Sequence, residues 1–228
     1  PNFLLRQSAP GRFEDVALAA GVAYNESGVA ISSMGAELRD VDNDGREDLW
    51  ITALSNETFP LFRNRGGIFQ EITLESGIGK ASLPWTGWSN AIADFNNDGW
   101  KDLFTANGHV MDNAEATSGR QSRQPNQVYL NRRGSFEAVT LPGEAFHRGL
   151  AWGDFDRDGR LDLVVTRLGE PAMILWNRTP SPGRWIAFDL EGTRSNRDGI
   201  GAMVEIRTAG GKQWNRRTAA SGYGATSS

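Results

Sequence analysis

The chain has 228 residues, no cysteine, 24 Lys plus Arg against 28 Asp plus Glu, and a net charge of −4. That length is ample for a buried core, the missing cysteines exclude a disulfide framework, and the lack of a basic run or stripe argues against a nucleic-acid-binding surface. No apolar stretch approaches the length of a membrane-spanning helix, no signal peptide is visible, and a start at Pro1 reads as a mature or excised piece. The 27 glycines, eight tryptophans and eleven phenylalanines favour short strands joined by tight turns.

In chain order, the first strand-like run is Gly11-Arg-Phe-Glu-Asp-Val16, followed by one short helical turn over Glu14 to Ala20. An apolar run at Met34 to Leu38 then leads into the acidic loop Asp40-Val-Asp42-Asn-Asp44-Gly45-Arg46-Glu-Asp48. Runs at Leu49 to Ala53, Pro60 to Asn64 and Ile68 to Thr73 follow it. The pattern begins again with Trp88 to Ala93, the loop Asp94-Phe-Asn96-Asn-Asp98-Gly99-Trp100-Lys-Asp102, and runs at Leu103 to Ala106, Gln127 to Asn131 and Ser135 to Thr140. A third round has Leu150 to Gly153, the loop Asp154-Phe-Asp156-Arg-Asp158-Gly159-Arg160-Leu-Asp162, then Leu163 to Thr166 and Met173 to Asn177. Each third run ends in Asn. Loop starts at 40, 94 and 154 give a period of about 55 residues, the mark of a repeat architecture. Four short strands per period describe a propeller blade. The expected fold is all-β: about three four-stranded blades of a partial propeller plus an orphan strand over 1–180, then a small β-rich segment over 181–228.

The three loops carry eleven aspartates (four, three and four). Carboxylates this close repel one another unless a cation sits among them. Each loop fits D-x-[DN]-x-D-G-x-x-D, which offers hard oxygens at positions 1, 3, 5 and 9 and a backbone carbonyl at position 7. The expected ligands are therefore Asp40, Asp42, Asp44, Arg46 and Asp48; Asp94, Asn96, Asp98, Trp100 and Asp102; and Asp154, Asp156, Asp158, Arg160 and Asp162. Oxygen ligands in this number point to calcium, about three ions, one per loop. An EF-hand opens with the same residues but needs a bidentate Glu at position 12. Ile51, Thr105 and Val165 stand there, so the site must close at position 9. The alternative of a bare, solvated Asp-Gly turn loses ground with each copy. Asn96 makes the second loop the weakest.

These loops with their strand flanks resemble the FG-GAP/VCBS repeats of integrin-type β-propellers. Gly66-Gly-Ile-Phe-Gln-Glu-Ile-Thr-Leu-Glu-Ser-Gly77 and Gly11-Arg-Phe-Glu-Asp-Val-Ala-Leu-Ala-Ala-Gly21 resemble the closing strands of such blades, and Asn107-Gly-His-Val110 occurs at the matching place in one subgroup. Trp185 to Gly192, Ser195 to Ile206 and Ser221-Gly-Tyr-Gly224 are similar to the ASPIC/UnbV domain, which follows FG-GAP repeats in proteins related to cartilage acidic protein. Its usual glycine-rich ending is missing here. The resemblance implies a calcium-stabilised, non-catalytic interaction module that is secreted, periplasmic or at the cell surface. Its implied partners are a protein or an extracellular glycan, with self-association through exposed blade edges as a further expectation.

An enzyme acting on polysaccharide and an architectural spacer are the rival readings. The polar segment from Asn107 to Asn126, with His109, Asp112, Glu115, Arg120 and Arg123, is the candidate for added function, and a packed turn is the plainer role for His109. Trp50, Trp152 and Trp176 read as core residues, while Trp85 and Trp88 are better surface candidates. Two histidines and no nucleophile elbow give no hydrolase triad.

Overall fold

The computed structural model describes residues 1–180, 183–219 and 223. Of the Ser221-Gly-Tyr-Gly224 run, only Tyr223 lies within the described residues. The N-terminal elements are β1 (Leu5–Ala9), β2 (Arg12–Asp15) and the single turn α1 (Ala17–Ala20). The first full blade is β3 (Ala36–Arg39), β4 (Asp48–Ile51), β5 (Leu61–Asn64) and β6 (Phe69–Glu71), and α2 (Ile78–Ser82) leads to the next. The second blade is β7 (Gly87–Ala93), β8 (Asp102–Asn107), β9 (Gln124–Asn131) and β10 (Phe136–Ala145), with α3 (Ala114–Ser118) inserted between β8 and β9. The third has β11 (His147–Gly153), β12 (Asp162–Arg167) and β13 (Glu170–Leu175), and the C-terminal segment contributes the hairpin of β14 (Met203–Thr208) and β15 (Gly211–Arg216).

Each blade is an antiparallel meander in chain order, β3-β4-β5-β6, β7-β8-β9-β10 and β11-β12-β13. The fold is all-β, as the repeat pattern implies. The register is also repeated. Arg39 pairs with Asp48, Ala93 with Asp102 and Gly153 with Asp162, so all three acidic loops close the same hairpin.

The orphan strand expected at Gly11 to Val16 has a partner: it pairs with β1, whose residues, like its own, are all exposed. The run Leu5-Arg-Gln-Ser-Ala9 lacks apolar–polar alternation because neither face is buried, so no periodicity marks it. The hairpin stands where the third and fourth strands of a preceding blade would stand.

The core lies between blades. Ala17, Val22, Leu49, Ile51 and Phe62 join the N-terminal elements to blade one. Trp50, Phe59, Leu61, Ile92, Leu103 and Tyr129 fill the gap between blades one and two, where Trp50 and Tyr129 meet edge to face at 5.8 Å. Phe95, Phe104, Leu150, Leu163 and Val165 fill the gap between two and three. The first strands lie innermost and are tied laterally: Glu37 accepts from the Ile92 amide at 2.7 Å, and Asn90 donates to the Trp50 carbonyl at 3.0 Å. Blade three has no neighbour on its far side among the described residues. Ile174 and Trp176 are therefore exposed, which corrects the expectation that Trp176 is a core residue. Trp50 is fully buried as expected, and Trp152 is only half-buried.

Candidate metal centres on the acidic hairpins

The three loops share one hydrogen-bond scheme. The carboxylate at position 1 accepts from the amides at positions 5 and 6: Asp40 from Asp44 and Gly45 (3.2 and 2.9 Å), Asp94 from Asp98 and Gly99 (3.0 and 2.8 Å), and Asp154 from Asp158 and Gly159 (3.0 and 2.9 Å). The carboxylate at position 5 accepts from the amide at position 7, at 2.9 Å in Asp44 and Asp98 and 3.0 Å in Asp158. The turn demands positive φ at position 6, and Gly45, Gly99 and Gly159 adopt 87°, 92° and 84°.

Position 9 is the hinge of each blade. Asp48, Asp102 and Asp162 are at most 1% exposed. One oxygen of each accepts from the amide at position 2 (Val41, Phe95 and Phe155, at 3.0, 3.0 and 3.1 Å). The other accepts at 2.8 Å from the amide of the Asn that ends the third strand: Asn64, Asn131 and Asn177. A carboxylate oxygen has two lone pairs, so these bonds leave acceptor capacity toward an ion.

Burial pushes Asp48 and Asp102 up to about 7 against the opposing pull of those amides, and burial also raises Asp42 and Asp94. A group of this kind is favoured as a neutral acid until a cation makes its charged form useful.

Carboxylate oxygens from Asp40, Asp42 and Asp44, and from Asp154, Asp156 and Asp162, lie within 4.8 Å of one another and could each hold a metal ion. Asp42 Oδ1 is buried and has no hydrogen-bond partner, an acceptor without a donor. The second loop presents Asp94, Asp98 and Asp102 with Asn96, whose Nδ2 donates to Asp98 at 3.1 Å. The four-aspartate loops each carry two arginines on their outer side. Arg46 pairs with Asp44 and Arg63 reaches Asp42 at 3.0 Å; Arg160 pairs with Asp158 and Arg178 reaches Asp156 at 3.0 Å. The three-aspartate loop has no arginine in ion-pair range among the described residues. The cation supply follows the local charge.

The loops also lock to one another. Asn43, at position 4, donates to the Gly99 carbonyl, and Asn97 donates to the Gly159 carbonyl, both at 2.9 Å. Asn131 donates to the Val41 carbonyl at 2.9 Å and Asn177 to the Phe95 carbonyl at 2.7 Å, each reaching back one blade. The Asn ending each third run was the sequence signal for this staple, although its target carbonyl was not legible. Position 4 of the last loop is Arg157, which has no following loop among the described residues.

The C-terminal segment rests on the tips of these hairpins. A Cβ on Gly45 would come within 3.2 Å of Trp214, one on Gly99 within 2.8 Å of Gln213, and one on Gly159 within 1.8 Å of Trp185 Nε1. Arg216 pairs with Glu47 at 2.7 Å, and Arg39 donates to the Arg216 carbonyl and to Thr218 at 2.7 and 2.8 Å. Gly159→Ala is expected to lift Trp185 from loop three and to cost on the order of 1–2 kcal/mol in left-handed backbone strain. A red-shifted tryptophan emission with faster proteolysis of 183–219 checks this; unchanged emission and cleavage contradict it.

Both histidines are committed elsewhere. His109 is buried and its Nδ1 accepts from the Met111 amide at 3.0 Å, a packed turn. His147 is buried with Nδ1 at 2.9 Å from the Asn107 carbonyl, and burial lowers its pKa. Trp85 packs against the core between blades one and two, and Trp88 lies under Arg148, whose guanidinium is 4.1 Å from the ring centre.

Blades of four, four and three strands that each open with an acidic, glycine-tipped hairpin define the chain as a set of propeller repeats. The FG-GAP-like repeat matches residues 40–105 and 114–165, more than half of the 228 residues, and the chain belongs to that family. The ASPIC and UnbV family matches residues 192–228. Cartilage acidic protein 1 of Xenopus tropicalis is 26% identical to it over 224 residues, which cover 91% of this chain and 32% of that protein. The chain thus spans about a third of the relative's length. No helix among the described residues is long and apolar enough to cross a membrane.

Proposed function

We propose that the chain is a calcium-binding, non-catalytic interaction module of an extracellular protein, with blades over 1–180 and a capping segment over 181–228. The observation that carries the metal reading is one loop hydrogen-bond scheme repeated three times, with the aspartates converging in the first and third loops. Position 1, 3, 5 and 9 side chains and the position 7 carbonyl would hold each ion; the second loop, with Asn96, would hold it most weakly. The extracellular reading follows from calcium supply: sites of the extracellular class, binding at about 10⁻⁴–10⁻³ M, stay empty at cytosolic calcium. Family membership supports a protein partner; an extracellular glycan is a further proposal, as is self-association through the outer edge of β13, which is unpaired among the described residues.

At ~1 mM calcium each such site contributes about 0.4–1.4 kcal/mol by mass action, so three contribute roughly 1–4 kcal/mol. The expected rise in Tm is about 3–12 °C. Melting in calcium and in EDTA, with Asp42→Asn and Asp156→Asn variants showing a smaller rise, tests this. A Tm indifferent to calcium in the unaltered chain overturns it.

A further inference from the structure

A cleft of about 760 Å³ lies between the acidic-hairpin face and the C-terminal segment. Ile92, Lys101 and Trp152 line it from the blades, and Trp185, Ile186 and Ile206 line it from the segment above. Its size and mostly apolar walls are those of a small-molecule site.

Among the described residues, one buried charged group in this cleft is without a partner, and it is a donor. Lys101 is only 5% exposed, yet among the described residues its ammonium makes no hydrogen bond and no ion pair. An ammonium can only donate, and a buried cation without a counter-charge is costly. Nearby Arg39 does not share this need, because Glu37, Thr218 and the Arg216 carbonyl already occupy it. The carboxylates whose field reaches Lys101 are Asp40, Asp94 and Asp48, none of them within 4.0 Å. All three are calcium ligands in the reading above. Once ions occupy the hairpins, those charges are spoken for and Lys101 faces the cleft uncompensated.

We propose that this cleft binds a small amphiphilic carboxylate, whose carboxylate accepts from Lys101 while its apolar body lies against Trp185 and the isoleucines. A carboxylate suits the site because it brings one charge and several lone pairs. This inference rests on the calcium reading for the neutralisation of the hairpins, and the two can fail separately.

The test is calorimetric titration of the whole chain in calcium with benzoate and indole-3-acetate, each against its neutral amide, benzamide and indole-3-acetamide. At least one carboxylate is expected to bind saturably, with its amide weaker by roughly tenfold or more. Lys101→Met is expected to abolish that preference while its Tm stays level or rises, since an unpaired buried charge has gone. No carboxylate binding at about 10 mM, or an unchanged preference in Lys101→Met, overturns the proposal. Binding that persists undiminished in EDTA upholds the cleft and counts against the calcium reading. A calcium-dependent Tm without carboxylate binding does the reverse.

Discussion

Asp102→Ala is expected to be the most damaging single substitution in the blades, costing about 3–5 kcal/mol. The carboxylate is fully buried and accepts from two backbone amides, Phe95 at 3.0 Å and Asn131 at 2.8 Å. Truncation leaves both amides without an acceptor in a site closed to water, at about 1–3 kcal/mol each. It also frees the strand end at Asn131, whose side chain staples blade two to the Val41 carbonyl of blade one. Asp102→Asn is expected to cost less. Its oxygen still serves one amide and the burial of a charge is relieved, but its NH₂ then opposes the other amide. Urea denaturation checks the order, with Ala well below Asn and both below the unaltered chain. Equal stability of Asp102→Ala and the parent would show that position 9 does not hold the blade together.

The second large effect is a reversal of pH dependence by calcium. Without metal, Asp48 and Asp102 have folded pKa values of about 7, above those of the unfolded chain, because they are buried. Glu37, buried between blades one and two, is likewise raised to about 7. Across pH 4 to 7 the folded chain therefore holds more protons than the unfolded one, and stability falls as pH rises. The stabilising contribution of the neutral acids is present below the unfolded pKa and is gone once pH passes about 7. Calcium binds only the ionised aspartates, so its affinity rises over the same interval. The metal-free chain is expected to lose several degrees of Tm between pH 5 and pH 8. Saturating calcium is expected to flatten or invert that slope. A metal-free Tm that climbs through this window would show that the position 9 acids ionise freely.

Much of this was legible in the residues because the repeat shows each feature three times. Short apolar runs marked all eleven blade strands within a few positions, and the fixed Asp at position 9 marked the place where each hairpin closes. Periodicity is blind to β1, because a strand with both faces in water has no buried side to impose a pattern. It is equally blind to blade neighbours. Trp176 has the strand context of Trp50, yet one is exposed and the other buried, because only Trp50 has a following blade packed on it. The chain order of the aspartates located the acidic loops but not the division of labour among them. Position 1 and position 5 carboxylates shape the turn through its own amides, whereas position 9 ties the loop to a strand about 15 to 30 residues away. Nor did the sequence tell that the C-terminal segment covers the hairpin tips, since a contact between Gly159 and Trp185 leaves no local signature.

The most direct measurement is anomalous diffraction from crystals grown in millimolar calcium. A calcium peak in each of the three hairpins is predicted, about 2.3–2.6 Å from oxygens of positions 1, 3 and 5, with the weakest peak in the loop that carries Asn96. Hairpins that show no peak, with Arg46 and Arg160 still paired to Asp44 and Asp158, would contradict the account.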